Sequence, residues 1–319
     1  MKRKGPFQKP INSMCILDTK IILASGNKID VYDHEFNYCY DINEHKDLIT
    51  SLISLNNKYC NMASSSKDAS INIYLISDTN YNLVQHIQIN NSIIYRIKQL
   101  SNSNIISCLK NKTLILFSNI GNKFQFQLKL YDPDYIPINF LKYKKHLIIF
   151  SCDTTNEIYD LYKGSFFNIK MINNKGKTIK SEFIWLYKDV SLLMYSNTMC
   201  LYVNNKILIM ISNTIVIVNI DSFEITKIKI NGIGHTRCMY PISNNIYYIG
   251  NNCGKAFKFH LDEIINIHNK NHQNNINIAS IPNLGRLSFS KKIKIFFIQR
   301  FKNILIFGVD DNYLHYMEL

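Results

Sequence analysis

The sequence predicts an all-β chain assembled from seven copies of one short antiparallel module, and three observations carry that prediction. The first is the stretch from Glu44 to Leu75, EHKDLITSLISLNNKYCNMASSSKDASINIYL. An apolar run (Leu48, Ile49, Leu52, Ile53, Leu55) meets a polar Asn56-Asn57-Lys58 turn, and a second run from Tyr59 to Ala63 ends in serines. After Lys67-Asp68, Ile71, Ile73 and Tyr74 alternate, so the stretch reads as three consecutive strands joined by tight turns. The second observation is that Tyr74, which closes the third strand, has counterparts at Tyr32, Phe117, Tyr159, Val218, Phe259 and Tyr316. The steps between markers are 42, 43, 42, 59, 41 and 57 residues. The third is a marker in register with the first: the second strand ends on Ser25-Gly26, Ser64-Ser65, Ser107-Cys108, Ser151-Cys152, Ser212, Gly250 and Gly308. Small side chains suit a place where strands converge and the backbone turns sharply.

Taken in order, the first copy begins near Ser13. The last copy supplies three strands, Lys294 to Ile298, Asn303 to Val309 and Tyr313 to Glu318, so its fourth strand must come from elsewhere. Residues 1–10 are the expected source, pairing beside Tyr313 to Glu318 as an outermost strand. Pro6 and Pro10 are tolerable there because an edge strand need not donate every N–H, and the pairing removes a bare edge. The two long steps are expected to be insertions too short to be domains, leaving 1–319 as a single domain. Residues 171–197, an insertion in the fifth copy, hold the only tryptophan, Trp185. Residues 262–275 (DEIINIHNKNHQNN) are Asn-rich and polar and are expected to form a flexible loop.

The period and strand pattern resemble WD40 repeats, in which each repeat supplies one four-stranded blade of a β-propeller. Tyr32-Asp33 after Ile29 and Val31, and Tyr159-Asp160 after Ile158, resemble the terminal Trp-Asp dipeptide with Tyr in place of Trp. Gly234-His235 is similar to the Gly-His start of a repeat, Glu44-His45 is a degraded form of it, and Asp68, Asp153 and Asp310 occupy the turn aspartate's place. The resemblance implies a seven-bladed propeller closed by the N-terminal strand. It also implies part of the family's His–Ser–Trp–Asp network in the second blade, through His45, Asp68 and Tyr74.

The formal charge of +14 invites a nucleic-acid or anionic-surface reading, but only five residues are Arg and the lysines are scattered through turns. None of the eight cysteines forms a CxxC pair, and most lie in or at the ends of apolar strands, as small buried side chains in a reducing compartment do. MKRKGPFQKP has no apolar core of a secretory signal, and apolar runs such as Ile207 to Ile211 are far shorter than a membrane span. The expectation is an intracellular, cytoplasmic or nuclear protein without membrane insertion.

No GxSxG, HExxH, Walker A or CxxC zinc pattern occurs. Gly232-Ile233-Gly234 lacks the third glycine of a dinucleotide turn. His268 and His272 stand four apart but amid Asn and Lys, Cys253 fits a turn position rather than a metal pair with Cys238, and His315 reads as a satisfied inward histidine. The expectation is a non-enzyme with no cofactor, no metal and no small-molecule substrate, acting as a scaffold for protein subunits of a larger assembly. The resemblance places partners on the face where each blade's first strand begins, near Asp47, Tyr95, Arg96, Tyr135, Arg237 and Lys291, with Trp185 as a further candidate contact. The alternative is an RNA- or ribosome-associated propeller whose Lys142, Lys144, Lys145, Lys291, Lys292 and Lys294 cluster on one face.

Overall fold

The computed structural model describes residues 2–7, 9–89, 92–100, 103–120, 123–131, 135–143, 146–153, 165–172, 177–186, 201–203, 206–243, 245–271, 275–289 and 294–319. These residues build seven small sheets, antiparallel but for one parallel pair in the fifth, and the fold is a seven-bladed β-propeller. The chain divides into two compact units, residues 6–190 and residues 1–5 with 191–319.

A three-residue strand β1 (Lys2–Lys4) belongs to the second of these units. In the other unit, the first blade is β2 (Ile11–Ile16), β3 (Lys20–Ser25), β4 (Lys28–Asp33) and β5 (Tyr38–Ile42). The second is β6 (Ile49–Ser54), β7 (Met62–Ser66), β8 (Ser70–Ile76) and β9 (Tyr81–Gln88). The third is β10 (Ile94–Gln99), β11 (Ile105–Leu109), β12 (Thr113–Ile120) and β13 (Lys123–Tyr131). The fourth is β14 (Tyr135–Tyr143), β15 (His146–Asp153), β16 (Ser165–Ile172) and β17 (Thr178–Leu186).

In the other unit, the fifth blade is β18 (Leu201–Val203), β19 (Lys206–Ile211), β20 (Thr214–Asn219) and β21 (Ile225–Asn231). The sixth begins with β22 (Thr236–Ser243), β23 (Ile246–Asn251) and β24 (Lys255–His260), then runs directly into helix α1 (Leu261–Asn271). After the helix, β25 (Asn275–Asn277) pairs in parallel with β21 and gives the fifth blade a fifth strand, and β26 (Gly285–Ser288) then completes the sixth. The seventh is β27 (Ile295–Phe301), β28 (Ile304–Val309) and β29 (Leu314–Glu318), with β1 paired antiparallel to β29 through Lys2–Tyr316, Arg3–His315 and Lys4–Leu314. The expected closure of the last blade by the N-terminus is therefore present. The strand lies ahead of Gly5 and not across residues 5–10.

Three expectations are corrected. Blade four's third strand is β16, and Tyr159 lies outside the described residues in the connection before it. An Ile-Tyr-Asp tripeptide imitated the strand-closing marker, so the extra residues sit before that strand and not after it. Residues 178–186 are accordingly the ordinary fourth strand of blade four, with Trp185 opposite Phe166, not an insertion in blade five. Residues 261–271 form a helix where a flexible loop was expected. Asp262 and Glu263 stand in its first turn and His268 and Lys270 in its last, matching the helix dipole, while Ile264 is fully buried in the core shared by blades five and six.

The core lies between successive sheets. On β8, Ile71 and Ile73 pack with Ile94, Ile105, Ile115 and Phe117 of blade three, whereas Tyr74 and Ile76 join Ile22, Val31 and Ile42 of blade one. Both faces of the second blade's sheet are thus apolar, as stacked sheets require. The small residues at the second strand's end have a steric cause. A Cβ on Gly308 would stand 2.0 Å from the Phe297 ring, and one on Gly250 would stand 2.6 Å from Cys238 Sγ.

One local device repeats. The ladder between first and second strands shifts register at Ile11/Ser13, Ile49/Ser51, Ile94/Arg96, Pro137/Asn139, Thr236/Cys238 and Ile295/Phe297. Each shift is a β-bulge that re-aims one side chain. Asn12 Nδ2 donates to the Ile49 carbonyl, Thr50 Oγ1 donates to the Ile94 carbonyl at 2.7 Å, and the Arg237 guanidinium lies 5.8 Å from the centre of the Phe296 ring. Bulge residues thereby latch a blade to the start of the next.

Candidate functional site

A cluster of linked polar side chains stands in the second blade. His45, in the loop leading to β6, is 3% exposed, and its Nε2 lies 2.6 Å from Ser64 Oγ, which donates in turn to Tyr74 Oη at 3.5 Å. On its other side, His45 Nδ1 lies 3.0 Å from Asp68 Oδ2 and 3.1 Å from Ser70 Oγ. Asp68 also accepts from the Ser70 hydroxyl at 2.6 Å and from the Lys46 N–H at 2.9 Å. Burial alone would raise the Asp68 carboxyl, but the hydrogen bonds from His45, Ser70 and Lys46 outweigh it and hold it far below the usual carboxylate range. The order Asp–His–Ser has the connectivity of a hydrolytic triad. Ser64 is fully buried, however, and the three groups brace a turn rather than meet solvent.

A reduced version recurs where Ser212 Oγ lies 2.8 Å from His235 Nδ1. Asp33 of the Tyr32-Asp33 pair accepts the N–H groups of Glu35 and Asn37, both at 2.8 Å, and so shapes the turn between β4 and β5. His315 is satisfied by Asp311, 2.9 Å from Nε2. Cys253 is exposed in the turn between β23 and β24. Burial pushes the Cys108 and Cys238 thiols up to about 12, so neither is thiolate at neutral pH. Among the described residues, no group of three His, Cys, Asp or Glu converges as a metal site would require, and no helix is long and apolar enough to cross a membrane.

The expected contact residues separate by exposure. Asp47 is exposed at the leading end of β6 and accepts the Leu48 N–H at 2.6 Å; Arg96 is half-buried on β10. Tyr95 and Arg237 are 4% and 8% exposed. Both stand at β-bulges, and their side chains are buried where an exposed rim was expected. The backbones of Tyr135 and Trp185 lie in β14 and β17, but their side chains are outside the described residues, as is all of Lys291. Of the expected lysine cluster, Lys144, Lys145, Lys291 and Lys292 also lie outside them, Lys142 is placed only by its β14 backbone, and Lys294 alone is fully described.

In blades two and three, backbone hydrogen bonds bring the start of the first strand beside the turn after a second strand. Lys67 N–H donates to Leu48 O, Ile49 N–H to Gly26 O, and Lys110 N–H to Ile93 O. At this end of blades two and three, Lys46, Asp47, Lys110 and Asn111 are exposed.

Two concavities flank these blades. One, about 680 Å³, lies at the opposite end among the β2–β3 turn, Asn56, Asn61, Asp78 and Gln99, with the buried Lys20 ammonium paired to Asp78 at 3.2 Å. The other, about 340 Å³, opens between the end of β9 and the sheet of blade three. The second was missed in the sequence, although a signal for it exists: between Asp78 and Asp132 there is no carboxylate, against Arg96, Lys98, Lys110, Lys112, Lys123 and Lys129.

No family model matches the chain, and no curated protein is significantly similar to it.

Proposed function

We propose that this propeller is a divergent WD40-like, non-catalytic scaffold subunit that holds protein partners in an intracellular multisubunit complex. The observation that supports the family reading is the His45–Ser64–Asp68–Tyr74 network, which reproduces that family's His–Ser–Trp–Asp brace with Tyr in place of Trp. A docking role follows from how the polar groups are used. Histidine, serine and threonine side chains brace turns and latch blades, whereas Lys46, Asp47, Lys110 and Asn111 stand in solvent on loops carried by a rigid ladder. Such loops can vary without unfolding the strands beneath them.

Affinity purification of the full chain from its native cells tests the reading. A stoichiometric set of proteins should co-purify, and the double change Asp47→Arg with Lys110→Glu should release at least one of them while the melting temperature stays put. Recovery of the chain alone would refute the scaffold role. An intact complex in the double variant would refute the choice of face.

A further inference from the structure

We propose that the groove between blades two and three receives an extended segment of a partner protein, alternating acidic and apolar residues and running along the outer edge of β13. The proposal rests on the scaffold reading and names the chemistry of one partner.

Three observations converge there. The groove, about 340 Å³, has a floor of the buried side chains of Ile89, Ile115, Phe117 and Phe124. At its mouth the Phe126 ring is 62% exposed. A phenylalanine left in water beside an apolar groove is where a partner's side chains gain most from burial.

Next is the edge itself. β13 is the outermost strand of its sheet. Its Phe124 N–H donates to Gln85 Oε1 at 2.8 Å, and its Phe124 carbonyl accepts from Gln85 Nε2 at 2.9 Å. One side-chain amide thus makes the reciprocal pair of bonds that a neighbouring strand's peptide group would make. Phe126, two residues further on, repeats the setting of Phe124, and the one-residue register shift after it brings Lys129 into the same groove lining. An added strand would continue from the rung that Gln85 fills.

The third is charge. With no carboxylate between Asp78 and Asp132, Lys129 in the groove lining, with Lys110 and Lys112 flanking the lining residue Asn111 on the β11–β12 turn, selects an anionic partner. A peptide fits better than a nucleic acid. One exposed ring among the described residues of the groove is no stacking platform for successive bases, whereas the strand edge offers peptide-spaced donors and acceptors.

The test uses the full-length protein and a fluorescent, acetylated peptide of about twelve residues alternating Glu and Val, followed by anisotropy. Saturable binding is expected, weakened about tenfold or more by Phe126→Ser and by Lys129→Glu, with no binding of a Lys–Val peptide. Both altered side chains are exposed, so thermal melts of the variants should overlay wild type; if Phe126→Ser does not fold, Lys129→Glu carries the test. Unchanged affinity in the folded variants, no binding at all, or preference for an oligouridylate over the peptide would overturn the proposal. The scaffold reading is judged separately. Should wild type and both variants co-purify the same proteins, the groove assignment fails and that reading survives; should wild type retain no protein, the reading itself fails.

Discussion

The His45 cluster shows how a single side chain can secure a blade. Its imidazole joins Ser64 to Asp68 and Ser70 with almost no access to water, so truncation removes a partner from two buried hydroxyls, Ser64 and Ser70, at once. His45→Ala should cost about 2–4 kcal/mol in chemical denaturation, mostly as unsatisfied polar groups. Asp68 adds a pH dependence of definite sign. Its carboxyl titrates lower in the folded chain than in the unfolded one, so its contribution is fully present above the unfolded carboxylate value of about 4 and fades as pH falls below it. Melting temperature should drop between about pH 5 and pH 2, and Asp68→Asn should flatten that drop while lowering stability at pH 7. An unchanged acid limb in Asp68→Asn would show that other carboxylates govern it. At this scale the sequence was partly legible. His45, Asp68 and Tyr74 could be named because their spacing matches a known pattern, but Ser64 and Ser70 sit among chemically identical neighbours in MASSSKDAS. Tyr95 and Arg237 were misread as surface residues because a β-bulge breaks the two-residue alternation that predicts which way a side chain faces.

At the scale of strands, the paired markers in the sequence have a physical origin. The second strand ends small because the first strand's bulge packs against it, and Gly308 is the tightest case. Gly308→Ala would drive a methyl into the fully buried Phe297 ring, so a loss of about 2 kcal/mol or more is expected, relieved in part by Phe297→Leu. Additive losses in the double variant would contradict that contact. The N-terminal strand permits a sharper measurement. β1 is three exposed residues long and contributes little burial, yet it covers the outer edge of β29. Removing residues 2–4 should leave the melting temperature within a few degrees while hydrogen exchange rises selectively at Leu314 and Tyr316. Strands with strong alternation and polar turns were legible to within a residue at β28 and β29, whereas β7 starts three residues after the expected Tyr59 and β27 runs three beyond Ile298. Helix α1 was not, because its Asn-rich composition reads as a loop and its one turn of isoleucines, Ile264, Ile265 and Ile267, declares itself only against a core to pack on. The fourth blade was misaligned for a related reason: a lone Ile-Tyr-Asp match outweighed the strand that follows it.

For the whole molecule, the repeat period revealed the architecture, because seven modules must each present two apolar faces, whereas docking chemistry leaves no such periodic trace. Net charge is the one global quantity with a functional reading, and +14 has two interpretations that salt can separate. A surface evolved to grip a polyanion concentrates cations along a path and releases condensed counterions on binding, so affinity falls steeply and linearly with log salt. Here the cations are mostly Lys, and the longest carboxylate-free stretch, between Asp78 and Asp132, spreads its lysines over the first strand, the outer strand and a turn of one blade instead of along a continuous track. Lysine is a mobile, strongly hydrated point charge and a poor bidentate ligand for phosphate. Filter binding to a mixed single-stranded RNA should therefore be detectable at about 20 mM KCl and lost by about 150 mM, where a Debye length near 8 Å screens dispersed charges. Charge reversal at Lys110 and Lys129 should lower the slope of log affinity against log salt by no more than about two, whatever the RNA sequence. Retention of a defined RNA at about 150 mM, weakened by changes at a few positions only, would instead make the basic surface the primary binding site and displace the scaffold reading.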